Sequence, residues 1–275
     1  MSTHPFTHLL LATEHTEFDV GAERVAIEMA SKCGLSLMGV LPIVSNPEYE
    51  AAAPELANRA ELEAAAKITQ LRAAAQAAGI QLDMHARRGE EPYQEIVDEA
   101  ARQKADLLII RRRGKRSFLA RLMVGEMVGK VLGHAPCSVL VVPRASHMWS
   151  RGILAAVDDT SATNIIMIAA MIALECDLPL NIVSVAETAA LQQKAEAVIA
   201  RNIAIAQSLG AKVQGRVLNG KAHEQILAAT KDFGADLTVV GRGGKSSASR
   251  ISVGSTMQKI AGHAEESVLI VRPPS

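Results

Sequence analysis

The chain repeats itself once. Lys104-Ala105-Asp106-Leu107-Leu108-Ile109-Ile110 returns as Gly234-Ala235-Asp236-Leu237-Thr238-Val239-Val240, and Gly114-Lys115 returns as Gly244-Lys245 at the same spacing of 130 residues. Gly133-His134-Ala135 and Ser138-Val139-Leu140-Val141-Val142 return as Gly262-His263-Ala264 and Ser267-Val268-Leu269-Ile270-Val271 at a spacing of 129. Leu9-Leu10-Leu11-Ala12-Thr13-Glu14 matches Ile153-Leu154-Ala155-Ala156-Val157-Asp158. Several matches in one order mean a duplication, so whatever folds must fold twice. The boundary falls between Pro143 and Gly152, where periodicity lapses. The expected domains are 1–147 and 150–275, each of ordinary domain size.

Within each half, short apolar runs alternate with helical patterns. In the second half the strands are expected at 153–157, 180–185, 212–218, 237–240 and 268–271. The helices between them are expected at 162–175, 187–209, 223–231 and 255–261, with Gly210 placed to stop the second. The helix at 162–175 is apolar nearly all round, which predicts that both of its faces are covered. The Ala-rich stretch 55–78 of the first half reads as a packed crossover helix rather than a coiled coil. Parallel strands need crossovers, so the fold class is α/β: two open parallel-sheet domains with helices on both faces.

Composition removes several classes of function. Lys plus Arg and Asp plus Glu are each 29, so no net charge draws the chain to nucleic acid, and aromatics at 3% supply no stacking platform. The longest apolar run, 165–174, is far short of the roughly 20 residues of a membrane span. Three widely spaced cysteines, Cys33, Cys137 and Cys176, lack metal or disulfide spacing and fit a reduced cytoplasmic protein. The first residues do not read as a signal peptide. Cys33 and Cys176 end matching helices and are expected as small buried groups. His134 and His263 are expected at helix ends, not on a metal.

In open parallel sheets, ligands lie beyond the carboxyl ends of the strands. After the fourth strand of the second half comes Gly241-Arg242-Gly243-Gly244-Lys245, and the loop closes on Gly254-Ser255-Thr256 at the start of a helix. Glycines allow close approach of backbone amides to an anion, and a helix N-terminus favours phosphate. The loop alone admits two readings: a phosphate seat, or a solvated Gly/Ser-rich connection. Asp158 likewise reads either as a ligand group or as a cap for the following helix.

The pattern Gly241-x2-Gly244-x9-Gly254-Ser255, with Asp158 ending the first strand and the tail His263-Ala264 followed by a final strand, resembles the ATP-binding signature of the universal stress protein family. The resemblance covers nearly the whole chain, twice. It implies an adenine nucleotide α-hydrolase-like (Rossmann-like) fold and ATP as the cofactor, with Mg²⁺ bridging its phosphates. It further implies Val157 and Asp158 near ribose and adenine, Val185 meeting adenine through its backbone, Gly241, Arg242 and Gly244 along the ribose and first phosphate, and Gly254, Ser255 and Thr256 on the outer phosphates. Family members pair through their last strands, so an intrachain pseudo-dimer or a homodimer is expected. The implied role is a cytoplasmic stress-response regulator or sensor with slow hydrolysis at most, since no catalytic base or nucleophile is recognisable. Two alternatives stand beside it: a nucleotide-independent interaction module with a vestigial loop, and an adenylating enzyme.

The first half departs from the pattern. Arg111 stands for Gly241, Glu14 for Asp158 and Glu126 for Ser255, and ten residues, not nine, separate Gly114 from Gly125. A carboxylate at the helix start suits the helix dipole and repels phosphate. The first site is therefore expected not to bind ATP in the family manner. The competing reading has Arg111 to Arg113 and Lys115 bind a different anion, or reach across to the phosphates of the other half.

Overall fold

A computed structural model describes residues 4–14, 16–112, 126–159, 162–242 and 254–272. The first half runs β1 (Leu9–Ala12), α1 (Val20–Cys33), β2 (Leu37–Val44), α2 (Pro47–Ala52), α3 (Pro54–Ala77), β3 (Leu82–Gly89), α4 (Pro92–Arg102), β4 (Leu107–Arg111), α5 (Glu126–His134) and β5 (Ser138–Val142). The second runs β6 (Ile153–Ala156), α6 (Ala162–Cys176), β7 (Leu180–Ala186), α7 (Gln192–Ser208), β8 (Val213–Asn219), α8 (Ala222–Asp232), β9 (Leu237–Gly241), α9 (Ser255–His263) and β10 (Ser267–Val271). The described chain divides into two compact units: residues 6–112 with 126–148 form one, and residues 149–272 with His4 and Pro5 form the other.

In the first unit the strand order is β3-β2-β1-β4-β5, and in the second it is β8-β7-β6-β9-β10. Within each unit every pairing is parallel, with Leu9 opposite Leu37 and Leu107, and Ile153 opposite Leu180 and Leu237. Both fold into the α/β, parallel-sheet architecture expected. Strands β1, β4, β6 and β10 are buried at every residue. Alternate side chains point to opposite faces, so unbroken burial means that helices cover both faces, which is why these strands read as unbroken apolar runs.

The Ala-rich helix α3 is a crossover helix. It buries Ala64, Leu71 and Ala75 along one stripe, and Leu71 and Ala64 pack with Leu41, Ile43 and Met84 of the sheet. In the second half the expected long helix begins only at Gln192, after a short 3-10 turn at Ala189–Leu191, and ends ahead of Gly210 (φ 91°). Helix α6 corrects the expectation of two covered faces. Ile165, Ile166, Ala169, Ala170, Ile172 and Ala173 are buried, whereas Met167 and Leu174 are 44% and 45% exposed. Packing covers the sheet-facing side and leaves the outer stripe in water, apolar though it is. The cysteines also differ from expectation. Cys137 is the buried one, while Cys33 and Cys176, each at the end of its helix, are half-buried.

Candidate functional site

Strand order reverses in each unit between two central strands: β1 and β4 in the first, β6 and β9 in the second. Neighbouring connections there depart to opposite sides, and a crevice opens at the carboxyl ends. In the second unit this crevice is a cavity of about 530 Å³. Beyond β6, Val157 is buried and donates its N–H to the Val183 carbonyl (2.9 Å), which carries the exposed Asp158 to the cavity rim. Gly241 ends β9, and Gly254 stands at the N-cap of α9. The cavity brings together Val157, Asp158, Val185, Gly241, Gly254, Ser255 and Thr256. Arg242 does not line it; its N–H bonds the Val271 carbonyl at 3.1 Å, which extends the strand pairing. Gly244, with Gly243, Lys245 and Arg250, lies outside the described residues.

The lining of the cavity is of two chemical kinds. Val183, Val185, Ile165, Ile226, Val240 and Ile260 are apolar. The start of α9 also borders it, and the first-turn amides of a helix have no partner within the helix. Among the described residues no side chain caps this helix, and no acidic residue occupies its first turn. A Cβ built on Gly254 meets no atom within 4 Å, so the backbone there borders open space. An apolar lining together with helix-start amides suits an anion bearing a flat apolar group. Sequence reading missed Ile165, Ala222, Ile226, Met257 and Ile260. The only signal was helical spacing, since Ala222 and Ile226, or Thr256 and Ile260, lie four apart on one helix face.

The first unit has its counterpart at the same place, a cavity of about 470 Å³. Its apolar wall persists in Pro42, Ile43, Val44 and Ala60, but its polar lining is Glu14, Thr16, Glu91, Glu126 and Lys130. Lys130 is engaged by Glu91 at 3.3 Å and Glu126 at 3.2 Å, with its ammonium 4.9 Å from the centre of the Tyr93 ring. Both carboxylates hold its pKa above the usual lysine value. Arg111 is 4% exposed. Its guanidinium pairs with Glu14, donates to Thr16 Oγ1 at 2.5 Å, and lies 3.3 Å from Asp19 Oδ1. The residues 113–125, including Arg113, Lys115 and Gly125, lie outside the described chain.

The family model of the universal stress proteins matches residues 5–143 and again 150–272. The chain belongs to the universal stress protein family. Universal stress protein Slr1230 of Synechocystis sp. (strain ATCC 27184 / PCC 6803 / Kazusa) is 27% identical over 169 residues, covering 61% of this chain and 58% of that relative's length. A crystal structure of a universal stress protein from Archaeoglobus fulgidus DSM 4304 superposes with a TM-score of 0.76 at 17% identity, covering 99% of each chain. The crystal structure of protein PA1789 from Pseudomonas aeruginosa PAO1 gives 0.71 at 21% identity, covering 98% of this chain and 94% of that one. These likenesses show the universal stress protein fold. In this tandem member, no described helix is long and apolar enough to cross a membrane.

The universal stress protein repeat also accounts for residues that sequence reading had marked. Asp106 is a backbone bracket: its carboxylate accepts from the N–H groups of Thr7 (2.7 Å) and His8 (2.9 Å). Asp236 does the same for Ser150 (2.8 Å) and Gly152 (3.2 Å). His134 and His263 each donate Nδ1–H to the carbonyl four residues earlier, Lys130 (2.8 Å) and Lys259 (2.7 Å). That is helix-end bonding repeated in both copies, as expected.

Proposed function

We propose that this universal stress protein binds ATP in the cavity of its second half, with Mg²⁺ bridging the phosphates, and works as a stress-response regulator or sensor with slow hydrolysis at most. The observation that carries the reading is one cavity lined both by apolar side chains and by a helix start that, among the described residues, has no side-chain cap and no acidic residue in its first turn. Its volume falls within the about 300–1,000 Å³ typical of small-molecule sites. In this reading adenine lies along Val183 and Val185, Asp158 accepts from the ribose hydroxyls, and Gly241 lets the backbone approach the first phosphate. Amides of the Gly254-Ser255-Thr256 turn, with the two hydroxyls, hold the outer phosphates, and Arg242 and Gly244 complete the loop. The hydroxyls of Ser255 and Thr256 are the oxygen donors that would hold the Mg²⁺, whose role is to neutralise phosphate charge.

Thermal unfolding with ATP tests this. At 100 times its dissociation constant a ligand adds about 2.7 kcal/mol of stability. Absence of any shift overturns the reading. Ser255→Glu separates binding from folding. A carboxylate at a helix start stabilises the helix by about 0.3–1 kcal/mol, yet it opposes bound phosphate. The variant is expected to keep its melting temperature and lose roughly 100-fold in ATP affinity, about 2.7 kcal/mol.

A further inference from the structure

We infer that Arg111 decides which of the two cavities takes a nucleotide, by acting as an internal cation beneath the first cavity that engages the polar groups a ligand would meet there. The inference rests on the ATP reading of the second half and extends it to its twin. Arg111 occupies the strand-end position held by Gly241 in the second half. Its side chain turns inward and is spent on residues of its own unit: it pairs with Glu14 and bonds Thr16 Oγ1 (2.5 Å), while Asp19 Oδ1 lies 3.3 Å away. Thr16 closes the ring by donating its N–H (3.1 Å) and hydroxyl (2.5 Å) to Asp19 Oδ2. Asp19 is 1% exposed and stands at the N-cap of α1, but its carboxylate caps no amide there. It serves Arg111 and Thr16 instead.

Two consequences follow from this wiring. The guanidinium is not offered to an outside anion, which removes Arg111 from the reading in which the first half binds a different anion. Glu14, the counterpart of Asp158, has one carboxylate oxygen engaged by Arg111, so ribose hydroxyls would compete with that pairing. Glu126 also sets a carboxylate at the helix start that must be uncapped for phosphate. The second half lacks the two most buried charges of the lock, with Gly241 for Arg111 and Ala162 for Asp19, and keeps a carboxylate, Asp158, for Glu14. Arg111 and Asp19 are thus present together in one copy and absent together from the other. Asp19 buried without the Arg111 cation would be costly.

The test counts nucleotide bound per full-length chain by equilibrium dialysis with radiolabelled ATP and Mg²⁺. The wild type is expected to bind one. A rebuilt chain, Arg111→Gly with Asp19→Ala, Glu14→Asp and Glu126→Ser, removes both buried charges at once and is expected to bind one more. No gain relative to wild type overturns the lock. If the wild type binds none, the ATP reading of the second half fails, and the lock is still judged by the gain in the rebuilt chain. If the wild type binds two, the lock is overturned while the ATP reading stands. Should the rebuilt chain fail to fold, the lock is moved instead, as Gly241→Arg with Ala162→Asp and Asp158→Glu. The transplanted chain is expected to lose its bound ATP with an unchanged circular dichroism spectrum, and retained binding overturns the inference.

Discussion

At the residue scale, the two copies solve the same local problem with different side chains, and the less suitable choice can be identified. The turn that follows α8 uses Gly234 at φ 62°, where the first half has Lys104 at φ 52°. An L-residue with a Cβ is strained in that region, by roughly 1–2 kcal/mol. Lys104→Gly should therefore raise stability by about 0.5–1 kcal/mol, after allowing for glycine's larger unfolded-state entropy, and denaturant titration would register it. Glu99 is the opposite case, a costly group made good by its neighbours. It is fully buried between α4 and β3. Burial opposes its charge, but hydrogen bonds from Arg102, Gln103, His85 and Arg87 prevail and hold its pKa at about 2. A folded-state pKa below the unfolded value gives stability that is present above the unfolded pKa and drains away as pH falls. Roughly 2–3 kcal/mol should be lost between about pH 4.5 and pH 2. Acid titration of the Glu99→Gln variant should lack that segment; an unchanged acid limb refutes the assignment.

At the scale of elements, the start of the first helix in each unit is tied to the end of the last strand, again by two devices. In the first unit a Cβ built on Gly21 would lie 2.1 Å from the Pro143 carbonyl oxygen, so backbone packs directly on backbone. In the second, Asn164 stands at the corresponding position and donates its side-chain amide to the Arg272 carbonyl at 3.0 Å. A clash with backbone has no flexible side chain to absorb it. Gly21→Ala is expected to cost about 2–3 kcal/mol, whereas Asn164→Ala should cost about 1 kcal/mol for one lost hydrogen bond. Equal losses in chemical denaturation would show that the two junctions are not built differently. The same contrast between copies governs the helices that face the cavities. Helix α9 opens with serine and threonine, while α5 opens with Glu126.

For the whole molecule, one duplicated fold carries two cavities of similar size and different polar lining. If the second alone takes ATP, the ligand stabilises one unit and not the other, and the chain does not melt as a single cooperative block. Hydrogen exchange in saturating ATP should slow the amides of α9 and of the segment after β6, and leave α5 and the segment after β1 unchanged. Protection in both copies would contradict the assignment of the ligand to one half.

The duplication, the order of strands and helices, the parallel sheet and part of the lining of the second cavity could be read from residues in line. They rest on local facts: apolar runs of strand length, helix-forming stretches between them, and glycines where a chain must turn or approach a ligand closely. Asp158, Gly241 and Gly254 declared themselves because their chemistry is tied to their place at strand and helix ends. Other features needed the folded chain. Ile165 and Ile226 became cavity wall only because two helices of one unit converge on a single crevice. Arg111 was legible as a bulky residue in a glycine's place. That it is spent internally depends on Asp19 and Thr16, roughly 95 residues distant, and that distance in sequence is erased only by folding. Local pattern determines which elements form. What a charged side chain does is set by the partners that fold around it, because the energy of a buried charge depends on what neutralises it.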